Sequence, residues 1–221
     1  MISIALDGPA GAGKSSVAKG VAKELGYIYV DTGALYRTVG LYFIRKGIDT
    51  ALNCDIENML KDISVDIRFV DGTQHVFLNG EDVSGEIRTP EASMMASAVS
   101  AKPPVRAFLL GMQRKLAEDN NVIMDGRDIG TVVLPNATLK FFVTATAEER
   151  ANRRYKELIE KGEKVEYKDV YDDIVTRDYN DSHREIAPLK PADDSIMFDT
   201  TDIDLEGAIR KLTDTIKERL Q

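Results

Sequence analysis

Ile2-Ser3-Ile4-Ala5-Leu6-Asp7, followed at once by Gly8-Pro9-Ala10-Gly11-Ala12-Gly13-Lys14-Ser15, decides how this 221-residue chain folds. A short apolar run that ends at a glycine cluster predicts a buried parallel strand feeding a turn. Beyond it, Val17, Val21, Ala22 and Leu25 recur on one face of a helix predicted over Ser15 to Leu25. Gly26 can supply its left-handed C-cap. Gly8 to Ser15 fits G-x-x-x-x-G-K-[ST] in full, between a predicted strand and a predicted helix, which is the context that motif needs. Its glycines let the backbone wrap around phosphate oxygens without Cβ clashes. Gly8, Pro9, Ala10, Gly11, Ala12, Gly13, Lys14, Ser15 and Ser16 then line an anion nest at a helix N-terminus. In such a loop Lys14 reaches the outer phosphates of a nucleoside triphosphate, and Ser15 ligates the Mg²⁺ that bridges them.

Working outward, Tyr27 to Val30 predicts a second strand, and Thr32 a cap for a helix over about 34–46, stopped by Gly47. Strand, helix, strand, helix in that order predicts an α/β, doubly wound parallel sheet. The pattern then changes. Val65, Ile67 and Phe69 alternate with polar residues, Asp71-Gly72 and Asn79-Gly80 mark turns, and Val76-Phe77-Leu78 lies between them. That is antiparallel hairpin chemistry, so residues 63–85 read as a small β insertion. Helices follow over about 90–100 and 103–117, the second opened by Pro103-Pro104. Parallel-strand signals return at Val122-Ile123-Met124 and at Leu139 to Val143. Charged helices are predicted over about 147–161 and 168–183. Ile196-Met197-Phe198 reads as a last strand and 205–220 as a last amphipathic helix.

Composition limits the partners. The formal net charge is −8, the wrong sign for a nucleic-acid or anionic-membrane binder, although a few arginines focused in one cleft can still receive a small anion. One cysteine, Cys54, cannot form an internal disulfide, and its bland reading is a small half-buried hydrophobe. With only His75 and His183 there is no zinc constellation. The N-terminus lacks a basic region before its short apolar run, so a cytoplasmic enzyme with no membrane partner is expected.

A phosphate loop does not identify the acceptor. A GTPase needs a guanine-reading N-K-x-D, which this sequence lacks, and a mechanical ATPase usually ends its second functional strand in an acidic pair. A small-molecule kinase needs an acceptor site lined with arginines. Asp31-Thr32-Gly33-Ala34-Leu35-Tyr36-Arg37 follows the second strand, so it faces the crevice at the carboxyl edge of the sheet. There Arg37 can present a bidentate fork to a phosphate. Asp125-Gly126-Arg127-Asp128 ends another strand and faces the same crevice. Arg150, Arg153 and Arg154 sit among Glu148, Glu149 and Glu157, where a solvated, salt-bridged helix face is the plain alternative to a functional one.

Gly8 to Ser15, Asp31 to Arg37, Pro104-Val105-Arg106, Asp125 to Val133 and Ala187-Pro188-Leu189 together resemble bacterial cytidylate kinases over essentially the whole chain. The resemblance implies a single nucleoside monophosphate kinase domain. Its core would cover about 1–31, 103–146 and 186–221, its monophosphate-binding lobe with the β insertion about 32–102, and its mobile helical lid about 147–185. It implies ATP as donor with Mg²⁺, CMP and dCMP as acceptors, and a monomer. Thr32, Arg106, Asp128 and Arg184 would surround the cytosine. Ser97, Arg177 and Asp181 would hold the pentose, and Arg37 and Arg127 the acceptor phosphate. Lys14, Arg37, Arg127, Arg153 and Arg177 would carry catalysis, with Arg153, Arg154 and Arg177 coming from the lid. The Asp199-Thr200-Thr201 loop would lie near the donor adenine. Threonine stands at position 32 where serine is frequent in that family, which keeps the hydroxyl.

Overall fold

A computed structural model describes residues 1–48, 55–70 and 72–221. Cys54 and Asp71 lie outside the described residues, so the readings that concern them stay expectations. The predicted first strand is β1 (Ser3–Asp7), and the glycine loop leads from it into α1 (Lys14–Leu25). β2 (Ile28–Asp31) and α2 (Thr32–Arg45) follow. The parallel frame resumes with β6 (Val122–Gly126) and β7 (Leu139–Thr144) and ends with β8 (Ile196–Asp199) and α8 (Leu205–Arg219). These five strands form one parallel sheet in the order β2-β6-β1-β7-β8. Because β1 lies between β6 and β7, the strand order reverses beside it, and the crevice at such a reversal is where ligands of doubly wound sheets bind.

Helices cover both faces. Val17, Val21 and Ala22 of α1 pack with Leu212 and Ile216 of α8 against Ile4, Leu6, Phe141 and Val143. On the other face Ala5, Val30, Val122 and Met124 pack with Ala117 from α5 (Pro103–Asp119) and with Ile129 and Val133. Both faces of the inner strands β1 and β6 are therefore buried, which is why they read as continuous apolar runs rather than alternating ones.

The insertion is an antiparallel sheet of β3 (Val65–Val70), β4 (Thr73–Leu78) and β5 (Glu81–Asp82), preceded by the short α3 (Ile56–Met59) and followed by α4 (Pro90–Ser100). It has its own core. Leu35, Val39 and Phe43 of α2 meet Val76, Leu78, Val99, Val105 and Leu109. Two charged helices, α6 (Ala147–Glu160) and α7 (Tyr167–His183), pair with each other between β7 and β8.

One local expectation needs correction. The cap of α2 is Asp31, whose carboxylate accepts from Ala34 N at 3.0 Å, so the helix starts at Thr32 and not near residue 34. Asp and Thr are both good caps, and the residue that ends the strand in extended geometry takes the role. Thr32 instead donates its hydroxyl to the Asp125 carbonyl at 2.8 Å. After β6 the chain forms one π-helical turn, Ile129–Val133, for which the sequence reading gave no expectation; it is closed by Leu134 N donating to Ile129 O at 2.7 Å.

Gly8 has φ +148°, and a Cβ built there would run into the carbonyl oxygen of Val143 on β7. The loop thus leaves β1 by passing over its neighbour strand's backbone, an approach only glycine permits. Gly8→Ala is expected to lower stability by about 2–4 kcal/mol, read from the urea midpoint, and to abolish binding of a fluorescent ATP analogue. Wild-type stability with wild-type affinity would refute this account of the turn.

Candidate active site

The parallel register sets Asp31 beside Asp125 and Asp7 beside Gly126, so three carboxylates leave neighbouring strand ends together. Each is satisfied differently. Asp125 accepts from the Ser15 hydroxyl at 2.7 Å and the Tyr29 hydroxyl at 3.0 Å. Burial and the nearby Asp31 push its carboxyl above the ordinary range. Burial and Asp125 likewise raise Tyr29 far above its usual value, so that phenol stays a donor. Asp31 binds Arg37 Nη2 at 2.8 Å besides capping α2. Asp7 accepts from Ile129 N and Gly130 N, each at 2.7 Å.

The glycine loop holds its own lysine. Lys14 is 6% exposed and donates to Pro9 O at 2.6 Å. Burial, then the charge of Arg127, draws its ammonium well below the ordinary range. Arg177 is exposed on α7, yet desolvation at the crevice and the same Arg127 charge lower its guanidinium, and Arg37 and Arg154 add to the effect. Cations that mutually disfavour their own charge in one crevice form a receptor for a polyanion.

Two walls flank this crevice. On one side a cavity of about 490 Å³ is lined by Ala12, Gly13, Ser16, Arg153, Thr200 and Thr201 among others, next to the glycine loop. Arg153 stands at this wall. It donates to Thr200 O at 2.5 Å and to Thr200 Oγ1 at 3.1 Å, and it pairs with Glu149. The predicted Asp199-Thr200-Thr201 loop is therefore beside the loop that would hold the donor. On the other side Asp128, 5% exposed, is bound by both Arg106 and Arg184. Arg106 also lies over the Tyr36 ring, 5.9 Å from its centre. Arg184 is anchored by donating to Ala187 O at 2.5 Å, inside the Ala187-Pro188-Leu189 segment.

Of the residues singled out from sequence, Arg106, Asp128 and Arg184 form one cluster, and Arg127 meets Asp181 at 2.7 Å. Thr32 joins them through the Asp125 carbonyl. Ser97 lies half-buried on α4, and among the described residues no hydrogen bond links its side chain to the cluster. His183 is exposed and stacks on Tyr179, as a solvent-facing imidazole should. Arg154 pairs with Glu157 on the helix surface, matching the plain reading.

Sequence reasoning missed three contributors. Arg150 is not on a solvated face: it is 5% exposed, binds Asp178 of α7 with both terminal nitrogens, and donates to Ala10 O of the glycine loop at 3.0 Å. Its acidic neighbours in sequence disguised it. Asp125 read as one half of a motif rather than as the partner of Ser15. Asp7 read only as the end of a strand, and its charge after the three apolar residues Ile4, Ala5 and Leu6 was the one available signal.

Ser15 and Asp125 form an all-oxygen donor set of the kind a hard divalent cation takes. Among the described residues no three acidic, histidine or cysteine side chains cluster into a cage, so an ion here would be completed by phosphate oxygens and water.

Asp7 gives a pH signature. Burial raises its carboxyl to about 6, and Asp128 adds to the rise against the two backbone hydrogen bonds. In the unfolded chain it titrates near 3.9. Between those values the folded state holds a proton that the unfolded state has lost, so this group's contribution to stability falls as pH rises. Wild-type stability minus that of Asp7→Asn should therefore drop by up to roughly 3 kcal/mol from pH 4 to 6.5 and level off above, in urea unfolding at each pH. Parallel pH curves for the two proteins would contradict this burial account.

The family model described as cytidylate kinase matches residues 4–218. A cytidylate kinase of Caldicellulosiruptor bescii is 53% identical over 211 residues, covering 96% of this chain and 93% of that protein. One from Thermosipho africanus is 47% identical over 216 residues, covering 98% and 95%. Among solved structures, a shikimate kinase from Bacteroides thetaiotaomicron superposes with a TM-score of 0.51 at 13% identity, covering 98% of each chain, a likeness of fold alone. Matches of this extent and identity, over a chain whose glycine loop and arginine-bound Asp128 face one crevice, make it a member of the cytidylate kinase family.

Proposed function

We propose that this chain transfers the γ-phosphoryl group of ATP to CMP and dCMP, giving ADP and the corresponding diphosphate. Family membership supports the reaction, and the single observation that carries the choice of base is Asp128 held between Arg106 and Arg184. A carboxylate accepts from the exocyclic amine of cytosine, while the flanking guanidinium groups donate to its ring nitrogen and carbonyl. Uracil would turn a carbonyl toward that carboxylate and be repelled. An acceptor without a base would leave this buried trio idle, so a sugar-like or shikimate-like acceptor is not favoured.

The acceptor atom is a phosphate oxygen, ionised near neutral pH, so no general base is needed. Catalysis then consists of bringing two polyanions together and stabilising the charge between them. Lys14 serves the donor phosphates. Arg37 and Arg127 grip the acceptor phosphate, and Arg177 and Arg153 approach the transferred group from the helical pair. Thr32 completes the base pocket, and Ser97, Arg177 and Asp181 meet the pentose. Ser15, backed by Asp125, would hold Mg²⁺, which supplies neutralising charge to the donor phosphates. Residues 147–185 act as a lid that excludes water, residues 32–102 as the acceptor lobe, and the remainder as the core. The assembly we propose is a monomer. No helix among the described residues is long and apolar enough to cross a membrane. The compartment we propose is the cytoplasm, on the strength of the single cysteine.

The test is a linked ADP-release assay with ATP and Mg²⁺, offering CMP, dCMP, UMP, AMP, GMP and shikimate separately. Strong turnover with CMP and dCMP, weak with UMP and none with the others is the expected result. Asp128→Ala should reduce the CMP/UMP ratio of kcat/KM by about 100-fold or more. An unchanged ratio would reassign base recognition to other residues.

A further inference from the structure

We infer that Asp7, at the end of the donor-side strand β1, is a positioning residue for base discrimination: it holds Asp128 in the orientation that reads the acceptor. This rests on the base-reading role of Asp128 proposed above. The peptide that joins Asp128 to Ile129 is fixed at both ends. Its carbonyl accepts from Val132 N at 2.9 Å and Val133 N at 3.2 Å, inside the π-turn, and its N–H donates to Asp7 Oδ1 at 2.7 Å. The next N–H, of Gly130, donates to Asp7 Oδ2 at 2.7 Å. A peptide plane clamped on both edges leaves the Asp128 side chain little freedom in direction.

A carboxylate is suited to this task in a way a neutral cap is not. The first N–H groups of a helical turn have no partner within it. Two of them converge here, and only a carboxylate offers two equivalent acceptors at the right separation. Asp7 is 4% exposed, and among the described residues its side-chain hydrogen bonds are these two alone. Burial of a carboxylate with no side-chain cation bonded to it is a poor choice for stability alone. Space is equally tight on the other side. A Cβ on Gly130 would sit 3.3 Å from Asp7 Oδ2 and 3.0 Å from Lys140 Cδ. Lys14 and Asp128 are the charged groups whose fields reach Asp7, so a competing route exists in which Asp7 acts on Lys14 and the donor phosphates.

A double-mutant cycle separates the two routes. Wild type, Asp7→Asn, Asp128→Ala and the double variant are assayed for kcat and KM with CMP and with UMP. Asn keeps the shape but turns an N–H₂ toward one of the two backbone donors. The expected result is a CMP/UMP ratio of kcat/KM about 10-fold lower in Asp7→Asn, carried mainly by the KM for CMP, with the KM for ATP changing less. In the Asp128→Ala background the same change should move the ratio less than about 2-fold. Two results would overturn the inference. Asp7→Asn could lower kcat equally for both acceptors at an unchanged ratio, which is the Lys14 route, or its effect on the ratio could persist in full without Asp128. If Asp7→Asn does not fold, Gly130→Ala presses on the same contact from the turn and runs in the same cycle, with the same two outcomes deciding. A wild-type enzyme indifferent to CMP and UMP, or an Asp128→Ala ratio equal to wild type, would instead remove the base-reading proposal beneath it.

Discussion

Buried carboxylates at the carboxyl edge of the parallel sheet are the constraint from which the rest of this molecule follows. The register of β1, β2 and β6 delivers Asp7, Asp31 and Asp125 to adjacent strand ends, and Asp128 follows within the next turn. Burying a carboxylate is unfavourable unless its oxygens are satisfied. Each therefore recruits a different kind of partner. Asp125 takes two hydroxyls, Asp31 a helix N-terminus and Arg37, Asp7 two backbone N–H groups, and Asp128 two guanidinium groups. Satisfying them places the glycine-loop serine, the start of α2 and the turn after β6 relative to one another.

The same device extends to the helical pair. Asp178 and Asp181 of α7 bind Arg150 and Arg127, and Arg150 reaches on to the glycine loop. A chain of net charge −8 thus gathers several of its arginines in one crevice and uses carboxylates to hold Arg37, Arg106, Arg127, Arg150 and Arg184. Forks fixed in this way lose little freedom when a phosphate arrives, which is what preorganised electrostatic stabilisation requires. Lys14 and Arg177 form no ion pair among the described residues, and desolvation and the charge of Arg127 disfavour the charged form of both. An incoming polyanion relieves them directly.

Much of this was legible in the sequence, and the exceptions have physical causes. Strands buried on both faces announce themselves as apolar runs, so β1, β6 and β7 were plain, as was the glycine loop with its fixed spacing. Hairpin turns marked the insertion equally well. The cap of α2 was misplaced because Asp31 and Thr32 are both competent, and only the end of the strand decides between them. The π-turn left no periodic signal, since five residues are too few to show one. Arg150 and Asp7 were missed for a common reason. Their partners, Asp178 and the Ile129 and Gly130 backbone, are remote in sequence, and a long-range ion pair or a backbone acceptor leaves no local pattern.

The shared fold with a shikimate kinase at 13% identity shows how little the sheet says about the acceptor. What the two chains have in common is a doubly wound frame, and the discriminating chemistry here sits elsewhere, in the turn after β6 and in arginines from α5 and from the segment after α7. A carboxylate locked between two arginines in a buried site contributes little net stability, because desolvating three charges offsets most of their attraction. Apolar residues of the same volume would hold the two segments together as well. What they could not do is offer a carboxylate acceptor together with two guanidinium donors. On the base-reading role proposed above, the carboxylate takes the exocyclic amine of cytosine and the guanidinium groups its ring nitrogen and carbonyl, a set that uracil does not match, so selectivity rather than folding would account for the ion trio.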